Sequence, residues 1–458
     1  MTEVERLAEF VAGAHCDALS DSARQALKIR VLDSLGCAIG ALDAPLIAAL
    51  RAHDDELGGH PLATRIGDGR TAPDRAAFFN SALVRYLDFN DSFLAPGETC
   101  HPSDNLGAVL AACEYVGARG TDLLVALAVA YQIQCRLSEV APVRAKGFDH
   151  TTQLAYAVAG GAAKALGLDA ARIANAIAIS GTVQNPLRVT RTGALSNWKG
   201  LAAPHAAFVG MHAALFARRG ITGPREVFEG NKGWKDAIAG SFEIDWSRED
   251  LEAVCRTITK RYNAEIHSQS VLEGILELRR GNALAPDAIA RVEIEIFDVA
   301  YKIIGGGEEG DKRTVVTKEQ ADHSLPYLVA VALLDGDVMP AQYVADRITR
   351  ADVQALLRRV SIRPAVDLSG RFPGEMPCRI AVHLVDGRVL RVERRDYAGF
   401  ITRPMSWDQA LDKFEHLTAP HVDRARRGKI TRAIGELEAI SITDLMLQLV
   451  DLARKDPT

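Results

Sequence analysis

The hydrophobic period of this 458-residue chain changes near residue 260, and the change restricts its folds to a few. Up to about residue 255 the pattern is helical: within residues 22–39, Ala26, Ile29, Val31, Leu32, Leu35 and Ile39 follow the 3.6-residue repeat. Residues 121–135 and 151–166 are rich in Ala, apolar on most sides and punctuated by Gly at their ends, as expected of helices inside a large bundle. Beyond Lys260 the period falls to two. Residues 291–297 and 379–385 alternate polar with apolar, and the second run passes through Asp386-Gly387 into residues 388–393, the strongest short hairpin signal. Residues 360–366 form a further predicted strand, and 324–334 and 351–358 are predicted helices between strands. From Ser406, where Ser406 and Gln409 have capping-box spacing, the pattern is helical again, and 429–452 is predicted to rejoin the first half. The expected fold is therefore mainly α, with a large all-helical domain from residues 1–269 and 403–458 and an inserted α+β domain at 270–402.

Composition narrows the function. Lys plus Arg number 54 against 59 Asp plus Glu, a net charge of −5, so no global basic field exists for nucleic acid or an anionic membrane. An anionic ligand would need a few placed cations. The seven cysteines are scattered, with no C-x-x-C pair, which argues against a disulfide framework, a zinc ribbon or an iron–sulfur site of usual spacing. A reducing cytoplasm is the expected location. Residues 1–10 contain Glu3, Glu5, Arg6 and Glu9, unlike a secretory leader. No run reaches about 18 uninterrupted apolar residues, so no membrane span is expected.

The common catalytic motifs G-x-G-x-x-G after a strand, H-E-x-x-H and G-x-S-x-G are missing. The Gly-rich stretch 305–312 has Asp311 where a phosphate-binding loop would carry Lys, and reads as a loop. The informative residues are polar groups in apolar surroundings. Lys199 is the only formally charged side chain between Arg191 and Arg218; a buried ammonium needs a carboxylate or an anionic ligand, and either a structural Asp or a substrate would serve. His205 and His212 share a helical face and read as satisfied core histidines. His150 stands at the entrance of an uncharged helix, where first-turn amides attract anions, although a plain N-cap by Asp149 or Thr151 accounts for the same residues. Asp91 and His101 flank a loop that leads into another helix, bringing together a carboxylate, an imidazole and a helix N-terminus, the mixture general acid/base work on an anion requires. Lys260, Arg261 and His267 make a cation-rich segment at the predicted domain junction, which reads equally as a basic surface turn.

Taken in order, residues 86–92 (YLDFNDS), 101–105 (HPSDN), 146–150 (KGFDH), 198–200 (WKG), 260–262 (KRY) and 321–327 (ADHSLPY) resemble the MmgE/PrpD family, which includes 2-methylcitrate dehydratase and cis-aconitate decarboxylase. The resemblance extends over nearly the whole chain. It implies an all-helical domain built from both chain ends, an inserted α+β lid, homodimers, and an active site between the domains with no metal or organic cofactor. Carried over by position, the decarboxylase members' site corresponds to Asp91, His101, His150, Lys199, Lys260 and Tyr301. Those members carry a His five residues after the counterpart of Lys260; here Glu265 stands there and His267 follows. They also carry a Thr soon after the Asp, in a loop that does not align cleanly here. The 101–105 and 321–327 motifs look more like the dehydratase branch, so dehydration of a small tricarboxylate is the expected reaction. Asp91 paired with His101 is the expected acid/base couple and His150 the second proton-transfer group. Tyr301 would donate to a carboxylate or to the leaving oxygen. Lys199, Lys260, Arg261 and His267, with the two helix N-termini, would bind the substrate's carboxylates.

Overall fold

The computed structural model describes residues 1–452 apart from 194 and 283. The chain forms two compact units, one comprising Met1–Arg191, Asn197–Thr257 and Met405–Thr458, the other Thr192–Ser196 and Ile258–Pro404. The predicted residues 453–458 of the helical domain lie outside the described residues.

The first unit is a helical bundle. Its long helices follow the sequence pattern: Asp21–Gly40 is capped by Ser20, whose Oγ accepts from the Ala23 amide at 3.0 Å, while Gly120–Val140 and Thr151–Ala165 are buried on nearly every side. Gly161 lets the last two meet closely, since a Cβ there would lie 2.9 Å from the Ala130 methyl. The C-terminal segment returns as Trp407–Thr418, and Ser406 and Gln409 form the expected reciprocal cap. From this helix the buried Lys413 reaches the Asp33 carboxylate at 2.7 Å and donates to the Phe89 carbonyl at 2.7 Å. The returning helix thus anchors the loop that carries Asp88 to Ser92.

Three features of this unit refine the sequence reading. By length and composition Gly120–Val140 and Trp198–Arg218 are each long and apolar enough to cross a membrane; in the fold 83% and 61% of their apolar windows are buried against protein. The segment 429–452 rejoins this unit as expected, in two short helices, Arg424–Gly435 and Ile442–Leu447, because Ser441 starts a new cap by accepting from the Asp444 amide. The helical half also holds small hairpins. In one, Phe93–Ala95 pairs with Glu98–Cys100 across a two-residue turn, Pro96-Gly97, with Gly97 at φ +77°. Pro and Gly are the residues such a turn requires, and the hairpin delivers His101.

The second unit centres on a four-stranded sheet ordered Val360–Pro364, Ile289–Ile296, Cys378–Leu384, Val389–Arg394; the first pair is parallel and the others antiparallel. Val292, Ile294, Ile296, Ile380 and Val382 line its buried side. The other side is a ladder of ion pairs, with Arg379 meeting both Glu295 and Glu393 across neighbouring strands, which is the source of the strict alternation in sequence. The predicted strand 360–366 ends at Pro364, and Val366–Ser369 is a helical turn. The unit's main segment begins at Ile258 and not at 270. Residues 258–269 lack strand periodicity but are held by the unit's backbone: the Thr259 amide donates to the Gly399 carbonyl (2.9 Å), Asn263 to Val338 (2.8 Å) and Glu265 to Asp322 (3.1 Å).

Candidate active site

In the first unit His101 and His150 come together as a pair of buried imidazoles, edge to face, with ring centroids 5.4 Å apart. His101 follows the hairpin and precedes the turn Pro102–Asn105 that leads into the Leu106–Val116 helix. Its Nδ1 lies 2.7 Å from the Asp91 carbonyl and 3.1 Å from Ser92 Oγ. A carbonyl oxygen only accepts, so Nδ1 carries the hydrogen and Nε2 is the basic nitrogen of the neutral ring. His150 caps the Thr151–Ala165 helix; its Nε2 is buried and has no hydrogen-bond partner among the described residues. Burial pushes the His150 imidazole down to about 3, with Arg191 and Arg85 acting the same way against Asp149, so His150 is neutral near pH 7.

The expected couple between the Asp91 carboxylate and His101 is not formed. That carboxylate is fully buried and turned the other way: Oδ1 accepts from the Ser103 amide (3.0 Å) and hydroxyl (2.7 Å), Oδ2 accepts from Tyr131 (2.8 Å), and Arg30 lies at 3.6 Å. Burial raises its carboxyl despite those partners. Asp91 therefore orients His101 through its backbone. The two helix entrances expected to attract substrate anions are occupied in the same manner by the protein's own carboxylates. Asp91 takes the Ser103 amide, and Asp149 takes the Thr151 amide at 3.1 Å.

Lys199, on the first turn of Trp198–Arg218, is buried with its ammonium 4.0 Å from Asp88. Asp88 adopts φ +51° and also pairs with Arg85, and Arg85 reaches toward Asp104 at 3.9 Å. Positive φ is uncommon for a residue with a side chain, and the two cations hold it there. Asp104 accepts from Asn90 Nδ2 at 3.0 Å, and burial, opposed by Arg85 and assisted by Asp91, pushes its carboxyl up to about 7. His205 and His212 are satisfied as expected, by Gln184 (3.0 Å) and Asp74 (2.8 Å), but they lie on a half-buried helix face and not in the core.

Arg191 was not singled out in sequence, and it connects two of the site's parts. Its Nε and Nη2 donate to the two oxygens of the fully buried Asp149 at 2.6 and 3.3 Å, and Nη1 donates to the Lys199 carbonyl at 3.3 Å. Burial alone would raise the Asp149 carboxyl; Arg191 and then His150 overcome it and hold it well below the usual carboxylate range. A pair 42 residues apart carries no periodic signal, so only the fold exposes it.

The remaining predicted residues belong to the second unit. Lys260 is buried, Arg261 is half-buried, and the backbone amides of Arg261 and Tyr262 both donate to Gln269 Oε1 (2.9 and 3.0 Å). Tyr301 is half-buried on the short helix Asp298–Ile304. Glu265 and His267 form one device: Glu265 accepts from the His267 amide (2.8 Å) and its Oε1 lies 2.6 Å from His267 Nδ1. The ring packs on Phe297 and Phe372, each 5.7 Å away, and its buried Nε2 has no hydrogen-bond partner among the described residues. Burial would raise the Glu265 carboxyl, but His267, His323 and Lys260 lower it. The altered spacing after Lys260 thus supplies a carboxylate–imidazole dyad.

A bundle whose buried imidazoles, carboxylates and cations are interleaved in this way is suited to moving protons on a carboxylate-bearing molecule. The MmgE/PrpD N-terminal domain matches residues 5–247 and the MmgE/PrpD C-terminal domain residues 262–437. The chain is 30% identical to the 2-methylcitrate dehydratase of Cupriavidus necator, covering 81% of this chain and 79% of that protein. It is 28% identical to the 2-methylcitrate dehydratase of Escherichia coli K12 (72% and 71% covered) and 24% identical to the cis-aconitate decarboxylase of Mus musculus (97% and 93% covered). The chain belongs to the MmgE/PrpD family, and it is an enzyme of the lyase class.

Proposed function

We propose that the chain is a carbon–oxygen lyase that dehydrates 2-methylcitrate or citrate to the corresponding cis-aconitate by general acid/base chemistry, without a metal or organic cofactor. The observation that carries the reading is the imidazole pair: His101 has its tautomer set by the Asp91 carbonyl, and the neutral His150 stands 5.4 Å away. In the reaction a base removes a proton from the carbon beside a carboxylate, the freed electron pair forms the double bond, and the hydroxyl departs as water once its oxygen is protonated. His101 Nε2 is the base. The neutral His150 donates a hydrogen bond without adding charge beside the base. Lys199, Lys260, Arg261 and His267 bind carboxylates, with Tyr301 as a further donor; cations fixed before reaction stabilise the developing charge without reorganisation.

A second reading, decarboxylation of cis-aconitate, is favoured by the 97% coverage of this chain in the alignment with the mouse decarboxylase. Purified protein given 2-methylcitrate, citrate and cis-aconitate in turn distinguishes the two. Growth of enoate absorbance from the hydroxy acids supports dehydration, and CO2 release from cis-aconitate without it replaces that reading with decarboxylation.

A homodimer in the cytoplasm completes the proposal. Trp198 and Phe216 are exposed along one helix face that also stacks Phe208 on His212, with ring centroids 5.7 Å apart; an exposed apolar ridge of this sort suits a symmetric contact. The seven cysteines are free thiols, five of them buried, in keeping with a reducing compartment.

A further inference from the structure

Two neighbours compete to set the tautomer of His101. The Asp91 carbonyl, 2.7 Å from Nδ1, can only accept and favours hydrogen on that nitrogen. The Ser92 hydroxyl at 3.1 Å can accept or donate, and by donating it would move the hydrogen to Nε2 and remove the basic nitrogen. The direction of the Asp91 carbonyl is fixed by the same residue's carboxylate. Two of the carboxylate's bonds, from the Ser103 amide and hydroxyl, come from the loop of His101 itself, two residues further on, and tie that loop to itself. The third, from the Tyr131 hydroxyl to Oδ2 at 2.8 Å, comes from the middle of the Gly120–Val140 helix and ties Asp91 to the bundle. Arg30 stands at 3.6 Å from Oδ2, and its Nε and Nη2 donate instead to the Thr257 hydroxyl and carbonyl, each at 2.9 Å. Tyr131 is buried, and burial together with the Asp91 charge raises its hydroxyl well above the usual range, so it stays a donor. All of these residues belong to the first unit.

We propose that Tyr131 is a positioning residue for the reaction: it holds Asp91 so that the Asp91 carbonyl, and not the Ser92 hydroxyl, sets the His101 tautomer. The inference rests on the dehydration reading, in which His101 Nε2 is the base, and deepens it. Without the Tyr131 hydroxyl, Asp91 Oδ2 keeps only Arg30 among the described residues. The carboxylate then swings toward that guanidinium, the Asp91 carbonyl leaves Nδ1, and Ser92 donates in its place. The hydrogen of the neutral ring now sits on Nε2, and a ring in that state cannot take the proton from carbon. Tyr131 acts through Asp91 and His101, so its loss lowers turnover and leaves substrate affinity alone.

The test is Tyr131→Phe in the full-length protein, which keeps the ring and removes only the hydroxyl. In protein carrying heavy-nitrogen histidine, with His101→Ala identifying the signals, wild-type His101 should show its hydrogen on Nδ1, and the variant should shift toward hydrogen on Nε2. Turnover of 2-methylcitrate or citrate should fall about tenfold or more, the scale of one hydrogen bond to a charged group, with KM within about twofold of wild type. Adding Ser92→Ala to the variant removes the competing donor and should restore the Nδ1 tautomer and part of the turnover, which a merely structural role for Tyr131 would not do. Circular dichroism and thermal unfolding like wild type establish that the variant is folded; Ser103→Ala, which removes another bond to the same carboxylate, replaces it if it is not. An unshifted tautomer, a change in KM in place of turnover, or a double variant no better than the single one overturns the assignment. The tautomer is read without substrate. A wild-type protein that dehydrates no hydroxy acid therefore overturns the dehydration reading, while the tautomer still decides whether Tyr131 holds His101.

Discussion

Replacing Arg191 with Gln removes both guanidinium bonds to Asp149, at 2.6 and 3.3 Å, and the bond to the Lys199 carbonyl at 3.3 Å. Asp149 is 0% exposed and keeps the Thr151 amide at 3.1 Å. Deleting one partner of a buried ion pair costs about 3–5 kcal/mol, and the lost carbonyl bond adds about 1 kcal/mol. Proton uptake by the stranded carboxyl limits the total, so a loss of about 3 kcal/mol at neutral pH is expected. The pH dependence has a definite sign. Because the folded Asp149 carboxyl lies below its unfolded value, the stability it contributes is fully present above about pH 4 and is lost as pH falls through the lower folded value. The gap between wild type and variant should accordingly be widest near neutral pH and narrow steadily as pH falls, because the variant's stranded carboxyl takes up its proton first and the wild-type carboxyl only below about pH 4. Urea unfolding at several pH values, with turnover measured in parallel, reads both effects. Since Arg191 acts through Asp149 and Lys199, turnover should fall as well, with Arg191→Lys recovering part of it. A variant within about 0.5 kcal/mol of wild type, with unchanged turnover, would refute the role given to this residue.

His101→Ala should lower turnover about 100-fold or more while leaving the fold intact by circular dichroism, the usual scale for a positioned base. Asp104→Asn should flatten the pH dependence of stability: a buried carboxyl raised to about 7 favours folding when protonated, so wild-type stability declines as pH climbs from about 4 past 7, and the amide, which keeps an acceptor for Asn90, does not follow. Thermal melts of both proteins from acid to alkaline pH check this. Gly181→Ala tests packing against propensity. In a helix interior Ala is favoured over Gly by about 1 kcal/mol, but the new Cβ would lie 2.1 Å from the Tyr156 ring, so a net loss of about 1–3 kcal/mol is expected in chemical unfolding.

The change of hydrophobic period and the Asp-Gly hairpin were enough to place the helices and the sheet, because both features report which face of an element is buried. The hairpin at 93–100 escaped notice because three-residue strands are too short to show a period, although Pro96-Gly97 marked its turn. The boundary at Ile258 escaped for a similar reason, since that segment is tied to its unit by backbone bonds that leave no side-chain pattern. At the site, sequence picked out His101, His150 and Lys199, polar groups set in apolar runs. It could not tell that Asp91 touches His101 with its carbonyl while its carboxylate faces Arg30 and Tyr131, since both contacts come from one residue. Arg191 and Asp149, and Arg85 and Asp104, meet only through tertiary packing.

Breaking of a carbon–oxygen bond is the central claim, and heavy-oxygen water reads it directly. Dehydration is reversible, so purified protein incubated with 2-methylcitrate or citrate in such water should return hydroxy acid carrying the heavy isotope at its hydroxyl, detected by mass spectrometry. Hydroxy acid recovered unlabelled, from a preparation that releases CO2 from cis-aconitate, would contradict the account.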